Sequence, residues 1–183
     1  MKVTDTGFDG LKLIELKRFE DNRGFFMERY NEQRFAELGL PAYFAQDNHS
    51  QSKPGVLRGL HYQFDWPQGK LVGVVRGSIW DVAVDIRPSS PTFGKYYGVE
   101  LSAENGRLLW ISPGFAHGFC VVGDEIADVF YKVTAVYQAH GEKGIRWNDP
   151  EFAIQWPLNN PIISERDEQL PSFAEYKNNP KFA

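Results

Sequence analysis

Cysteine is nearly absent from this 183-residue chain, whose only one is Cys120. No internal disulfide can brace it, and within the apolar run "GFCVV" the side chain reads as a small buried apolar group. Long apolar runs are also missing: none approaches the ~20 residues of a bilayer-spanning helix, and mean hydropathy is -0.43. The N-terminal "MKVTDTGFDG" has neither an apolar core nor a small-residue cleavage pattern, so a cytoplasmic protein is expected. There is no basic excess. Lys and Arg total 20 against 24 Asp and Glu, a net charge of -4, and the scattered cations exclude a nucleic-acid-binding field. No repeat, low-complexity tract or Ser/Gly linker divides the sequence, and residues 1–183 are read as one domain. A chain of this size buries about two-thirds of the surface it exposes when unfolded.

Aromatic residues, by contrast, are abundant, with 14 Phe, 8 Tyr and 5 Trp, which suits a sandwich core or a stacking site for a planar ring. Short β-type runs recur with turn signals between them, among them "LKLIEL", "LVGVV", "SIWDVAVDI", "YYGVELS", "RLLWIS" and "DVFYKVT". In residues 79–86, Trp80, Val82, Val84 and Ile86 alternate with Ile79, Asp81, Ala83 and Asp85. That period of two demands a strand with one apolar face. "AENG" at 103–106 and the Gly77-Ser78 pair read as hairpin turns. Only "NEQRFAEL" at 31–38 reads as helix, with an Asn31 cap, Phe35 and Leu38 three apart, and a Gly-x-Pro stop. The tail from about 161 is Pro- and acid-rich, with room for one short helical turn. The expected fold is all-β, an antiparallel jelly-roll barrel with a few short helices and a ligand mouth.

Two segments concentrate chemistry: "VLRGLHYQFDWPQGKLVGVVRG" at 56–77 and "ISPGFAHGF" at 111–119. "PGFAH" resembles half of the signature of the cupin barrels. The other half, His-x-His followed by Glu in metal-binding cupins, here reads His61-Tyr62-Gln63 with Lys70 further on. At most two imidazoles remain, too few for a first-row metal site, which usually takes three or four N, O or S ligands. The expected barrel is therefore metal-free, with its histidines available for acid/base work.

Over nearly its full length the chain resembles the dTDP-4-dehydrorhamnose 3,5-epimerase family (dTDP-4-keto-6-deoxyglucose epimerases). The likeness is carried by "DNRGFFMERY", "QDNHSQS", "GVLRGLHYQ", "PQGKLVGVVRGSIWDVAVDIRPSSPTFGKY", "PGFAHGF", "YKVTAVY" and "EKGIRWNDP", in that order. The chemistry the family performs makes definite demands. A 4-keto group acidifies the C–H bonds at C3 and C5, and inversion needs a base on one face, a cation or donor at the keto oxygen and an acid on the other face. His61 suits the base, because an unperturbed imidazole titrates near neutrality, at about 6.5.

The resemblance implies that Asp167, in "SERDEQLP", is the carboxylate on the other nitrogen of His61, in the manner of the hydrolase triads. It implies Lys70 as enolate stabiliser, Tyr131 as proton donor on the opposite face and His117 as a further substrate contact, with Asp81 orienting one of these groups. For the nucleotide it points to Arg23, Glu28, the run Gln46, Asp47 and Asn48, Arg58, Glu142 and Arg166. Arg23 and Arg58 suit a diphosphate, since guanidinium forks grip phosphate oxygens bidentately. Tyr137 matches a residue that stacks on the nucleotide, and Phe19 and Phe26 are weaker candidates for packing on the thymine. His140, between Tyr137 and Glu142, departs from the family's pattern; it and His49 read as surface residues. The resemblance further implies no cofactor, a dTDP-4-keto-6-deoxyhexose substrate and a homodimer, the N-terminal segments covering a partner's sheet edge.

Two other readings compete. A non-catalytic sugar-nucleotide-binding barrel would keep Arg23 and Arg58 without proton transfer, but residues 61, 70 and 131 all retain reactive types. A metal-dependent cupin is opposed by Gln63 and the missing Glu. Whether C3, C5 or both are inverted, and in which deoxysugar pathway, is not decided by sequence, because the pose of the ring selects the carbon.

Overall fold

The structure is a computed structural model describing all residues, Met1–Ala183. Thirteen strands and three short helices follow in chain order: β1 (Lys2–Asp5), β2 (Leu11–Glu15), β3 (Arg18–Asp21), β4 (Gly24–Met27), α1 (Glu32–Glu37), β5 (Gln46–Ser52), β6 (Leu57–Gln63), β7 (Lys70–Arg76), β8 (Ser78–Asp85), β9 (Tyr96–Ser102), β10 (Arg107–Ile111), β11 (Phe115–Val122), β12 (Ala127–Val133), β13 (Glu142–Gly144), α2 (Glu165–Glu168) and α3 (Phe173–Asn178). The first sheet runs β1-β2-β10-β7-β12-β5 and the second β13-β6-β11-β8-β9, while β3 and β4 form a separate hairpin. All named strand pairs are antiparallel.

The all-β jelly-roll expectation holds, with one correction: the sheets do not close into a barrel but form a sandwich with free edges at β1, β5, β9 and β13. The expected hairpins at 77–78 and 103–106 are corrected too. β7 and β8 lie in different sheets, as do β9 and β10, so both turns are corners that carry the chain across the sandwich. A turn motif specifies reversal of direction over a few residues; long-range packing decides which sheet receives the next strand.

Apolar residues fill three layers. Leu11, Leu13, Val72, Leu109 and Val129 of the first sheet meet Ile79, Leu101, Phe115, Phe119 and Val121 of the second between the sheets. α1 covers the outside of the first sheet through Phe35, packed with Leu71, Leu108 and Trp110. Its cap is the expected one: Asn31 Oδ1 accepts from the Arg34 N–H at 3.1 Å, whereas Leu38 is exposed.

On the outside of the second sheet, the C-terminal segment packs Ile145, Phe152, Phe173 and Tyr176 onto Leu60, Val82, Val84 and Ala116. Burying each of the large ones contributes about 1.5–3 kcal/mol. This cover explains the alternation in β8. Its apolar side (Val82, Val84, with Trp80) faces the C-terminal cover, and Ile79 and Ala83 face between the sheets. Asp81, in register with these last two, therefore faces inward as well. The tail has two helices rather than one turn, each opened by a serine: Ser164 Oγ accepts from Asp167 N–H at 3.1 Å and Ser172 Oγ from Glu175 N–H at 3.2 Å.

Candidate active site

Where the apolar filling between the sheets ends, a cavity of about 620 Å³ opens. β5 supplies Gln46, Asn48 and Ser50, β7 Lys70 and β12 Tyr131; β6 supplies Arg58 and His61, β11 His117 and β13 Glu142. The tail contributes Arg166 and Asp167 from α2, and Tyr137 stands in the loop before β13.

His61 and His117 are direct cross-strand partners in the β6–β11 pair, and each has its own carboxylate. His61 Nε2 is 2.7 Å from Asp167 Oδ1, and the other Asp167 oxygen accepts from the Gly59 N–H at 3.1 Å. An ionised Asp167 accepts from Nε2–H, leaving Nδ1 with the free lone pair that a base requires. Burial pushes the Asp167 carboxyl up, but the His61 hydrogen bond and charge, the Gly59 N–H and Arg166 outweigh it and hold the group below the ordinary carboxylate range. Gly59 is required here: at φ +112° a Cβ would lie 2.6 Å from Gly118 Cα and 2.7 Å from the His117 carbonyl oxygen.

His117 is buried, with Nε2 2.9 Å from one Asp81 oxygen and 3.0 Å from the other. Burial lowers its pKa against the pull of Asp81, and the neighbouring Lys70 and His61 lower it further. Lys70 points its ammonium toward the His61 carbonyl oxygen, 3.4 Å away. Although the side chain keeps some exposed surface, burial around the ammonium brings its pKa down from 10.5 to about 8, against the attraction of Glu142 and Asp81. The ammonium is thus poorly solvated and close to losing its proton, the condition under which an added negative charge in the cavity is strongly welcomed.

Tyr131 stands on the opposing sheet, and burial followed by the Glu142 charge raises its pKa, so the phenol keeps its proton. Glu142 accepts from Arg166 at 2.6 Å and from the Tyr137 hydroxyl at 2.9 Å, and these bonds hold its carboxyl below the ordinary range despite burial. Arg58 is pre-aimed by Ser52 Oγ at 2.9 Å and the Gln51 carbonyl at 3.0 Å.

Three expected residues lie elsewhere. β5 alternates, so Asp47 points away from Gln46 and Asn48 and pairs with Lys132 at 2.9 Å on the outer side. Arg23 sits on the exposed β3–β4 hairpin, bonded to Asp21 at 2.6 Å, and Glu28 pairs with Arg34 at 2.9 Å beside α1. Both belong to the hairpin region, which is outside the sandwich that forms the cavity. Phe19 and Phe26 are on the same hairpin and likewise do not line the cavity.

Other lining residues went unforeseen. Ser50 follows Gln46 and Asn48 at the strand period and could have been found that way. Gln68 lies within the "PQGKLV" motif but is given no role by it, and residues 162–164 carry no signal, since only the docked tail brings them in. Gln63, at the position of a metal-cupin histidine, is bound to protein on both sides of its amide. It donates to the carbonyls of Trp66 at 2.7 Å and Val136 at 3.2 Å and accepts from Gln138 N–H at 2.9 Å. It fastens the loop that carries Tyr137. No group of three His, Cys, Asp or Glu side chains is gathered to hold a metal ion.

This constellation can be set against known proteins. The sequence profile of the dTDP-4-dehydrorhamnose 3,5-epimerase family matches residues 5–175. The chain belongs to that family. It is 54% identical over 177 residues to the dTDP-4-dehydrorhamnose 3,5-epimerase of Shigella flexneri, covering 96% of this chain and 97% of the relative. To the enzyme of the same name from Pseudomonas aeruginosa it is 51% identical over 177 residues, covering 96% and 97%. Among solved structures, it resembles a dTDP-6-deoxy-D-glucose-3,5-epimerase from Legionella pneumophila in complex with dTDP-4-keto-L-rhamnose. That match has a TM-score of 0.90 and 48% identity, with 94% and 93% of the two chains covered. The chain is thus an epimerase of the dTDP-sugar family, and none of its helices is long and apolar enough to cross a membrane.

Proposed function

We propose that the protein inverts C3 and C5 of dTDP-4-keto-6-deoxy-D-glucose through enolate intermediates, in dTDP-L-rhamnose or related deoxysugar biosynthesis. The observation that carries this reading is a base dyad, a half-desolvated ammonium and a protonated phenol around one cavity. His61 Nδ1 takes the proton, and Asp167 steadies the imidazolium that forms. Lys70, with His117 beside it, receives the charge that moves onto the C4 oxygen. Tyr131 returns a proton from the other sheet, which delivers it to the opposite face of the ring. Inversion at both carbons is favoured because the relatives at over 50% identity are named 3,5-epimerases.

Arg58, Arg166 and Tyr137 at the cavity wall are assigned to the nucleotide diphosphate and base, with Gln46, Asn48 and Glu142 as polar partners. Arg23 and Glu28 fit this scheme only through a second subunit. The β3–β4 hairpin exposes Phe19, Phe25 and Phe26, the last at 69%, a patch that a lone subunit rarely leaves uncovered. A homodimer that packs this hairpin on the partner brings Arg23 to the partner's cavity. Its location is assigned to the cytoplasm, where the solitary buried Cys120 stays a thiol.

The test is NMR of dTDP-4-keto-6-deoxy-D-glucose in deuterated water with enzyme. Label is expected at C3 and C5, and His61→Asn is expected to abolish both without unfolding. Label at one carbon only defeats the double inversion, and normal labelling by the variant removes His61 from its role. Sedimentation should give a dimer that Phe26→Glu dissociates; a monomeric wild type defeats the shared-site reading.

A further inference from the structure

Behind the Glu142–Arg166 pair lies a second cavity, of about 380 Å³, whose wall includes both residues of that pair. The pair is thus a partition between the active site and a compartment to which the mechanism assigns nothing. Tyr62 and Tyr176 form one side of this compartment and Leu170 another, so most of its surface is apolar.

The charges in its wall that lack a partner of opposite sign are cationic. Lys143 and Lys181 face it, and neither has a carboxylate partner within ion-pair distance. Arg166 is the third cation. The two carboxylates in its wall are already engaged, Glu142 by Arg166 and Tyr137, and Glu175 by the Ser172 cap. Tyr62 supplies a further sign. Only 6% of it is exposed, yet its hydroxyl has no hydrogen-bond partner in the chain, whereas the adjacent Tyr176 donates to the Ile86 carbonyl at 2.7 Å. The ring is buried but its hydroxyl stays accessible, open to a partner from outside the chain. An accessible donor without a partner in the chain shares an apolar wall with two ammonium groups that lack carboxylate partners, Lys181 lying over the Phe64 ring at 5.5 Å. This is the arrangement of a small-molecule site, in which a few polar groups converge on an otherwise apolar pocket.

We propose that this compartment is a second ligand site, taking a small molecule with an apolar body and a single phosphate or carboxylate group, and that its occupancy weakens nucleotide binding next door. The anion lies between Lys143 and Lys181 within reach of Arg166, the body lies on Leu170 and Tyr176, and the Tyr62 hydroxyl donates to it. As Arg166 turns toward this anion it leaves Glu142. The active site then loses a cation and gains an uncompensated carboxylate, which is a coupling of opposite sign to the nucleotide's charge.

The probes are phenyl phosphate, benzoate and inorganic phosphate, titrated into the full-length protein and followed by amide NMR. Phenyl phosphate or benzoate is expected to shift the amides of Lys143, Gly144 and Leu170 saturably, and the tighter of the two names the anion class. Inorganic phosphate is expected to bind at least tenfold more weakly, for want of an apolar body. Tyr62→Phe and the double variant Lys143→Ala/Lys181→Ala should each weaken binding about tenfold and retain wild-type spectra elsewhere. At saturation the probe should raise the KM for the keto-sugar by about fivefold or more. Shifts centred on Asn48 and Tyr131 instead, equal binding by inorganic phosphate, or variants that bind like wild type would overturn the site. An unchanged KM with binding intact would overturn the coupling. The titration needs no turnover, so its outcome is separate from that of the epimerase assignment.

Discussion

Replacing Asp167 by Asn tests the dyad with almost no change of volume. The carboxylate accepts twice, from His61 Nε2 at 2.7 Å and from the Gly59 N–H at 3.1 Å. An amide has an acceptor atom for only one of these two donors, since its other terminus is an NH2. If its NH2 faces His61, the ring must present a bare Nε2, and Nδ1 carries the hydrogen and cannot act as base. If its NH2 faces Gly59, two donors confront each other in a buried position, at a cost of about 1–3 kcal/mol. Either way the imidazolium loses a charge-assisted hydrogen bond contributing about 1.5–3 kcal/mol. Together these make about 2.5–6 kcal/mol, or roughly 10²- to 10⁴-fold in the proton-transfer rate at about 1.4 kcal/mol per decade. Solvent-deuterium exchange into dTDP-4-keto-6-deoxy-D-glucose under single-turnover conditions measures that step, and a circular-dichroism melt checks the fold. A folded variant exchanging within tenfold of wild type would refute the assignment of His61 and Asp167 as a unit.

Other consequences follow from the same geometry. The Lys70 pKa of about 8 makes kcat/KM fall as pH rises through that value, and Lys70→Met should abolish this limb of the profile while lowering the rate. For folding the sign is reversed. The unfolded lysine holds its proton up to about 10.5 while the folded one releases it near 8, so stability rises with pH between those values, as chemical denaturation at pH 8 and 10 should show. Gly59→Ala places a Cβ 2.6 Å from backbone at a positive φ, and should cost about 2–6 kcal/mol in denaturant unfolding. Gln63→Ala releases the Tyr137 loop and is expected to raise KM about tenfold with kcat nearly retained, as steady-state kinetics will read out.

What sequence could show was local. The strand alternation at 79–86 and the Asn31 cap depend on neighbours within one turn or one pleat, and both stand in the structure. The choice of sheet at each corner depends on packing across the whole chain, which is why Gly77-Ser78 and "AENG" were misread as hairpins. The same distinction runs through the site. Gln46 and Asn48 came from a motif, but the motif could not exclude Asp47, which the pleat turns outward. Asp167 was implied by family likeness alone, because its 106-residue separation from His61 leaves no periodic trace. Arg23 and Glu28 belong to motifs that one subunit does not bring to its own cavity.

The carboxylate of the dyad rides on neither sheet but on the segment that closes over the second one after β13. The last strand residue is Gly144, so every strand is synthesised before the carboxylate that arms the base. A nascent or clipped chain ending before residue 160 contains every strand residue, Lys70 and Tyr131, yet its imidazole has no counter-charge. Proteolysis at the C-terminal end would therefore remove the base's partner and part of the second sheet's apolar cover in one cut.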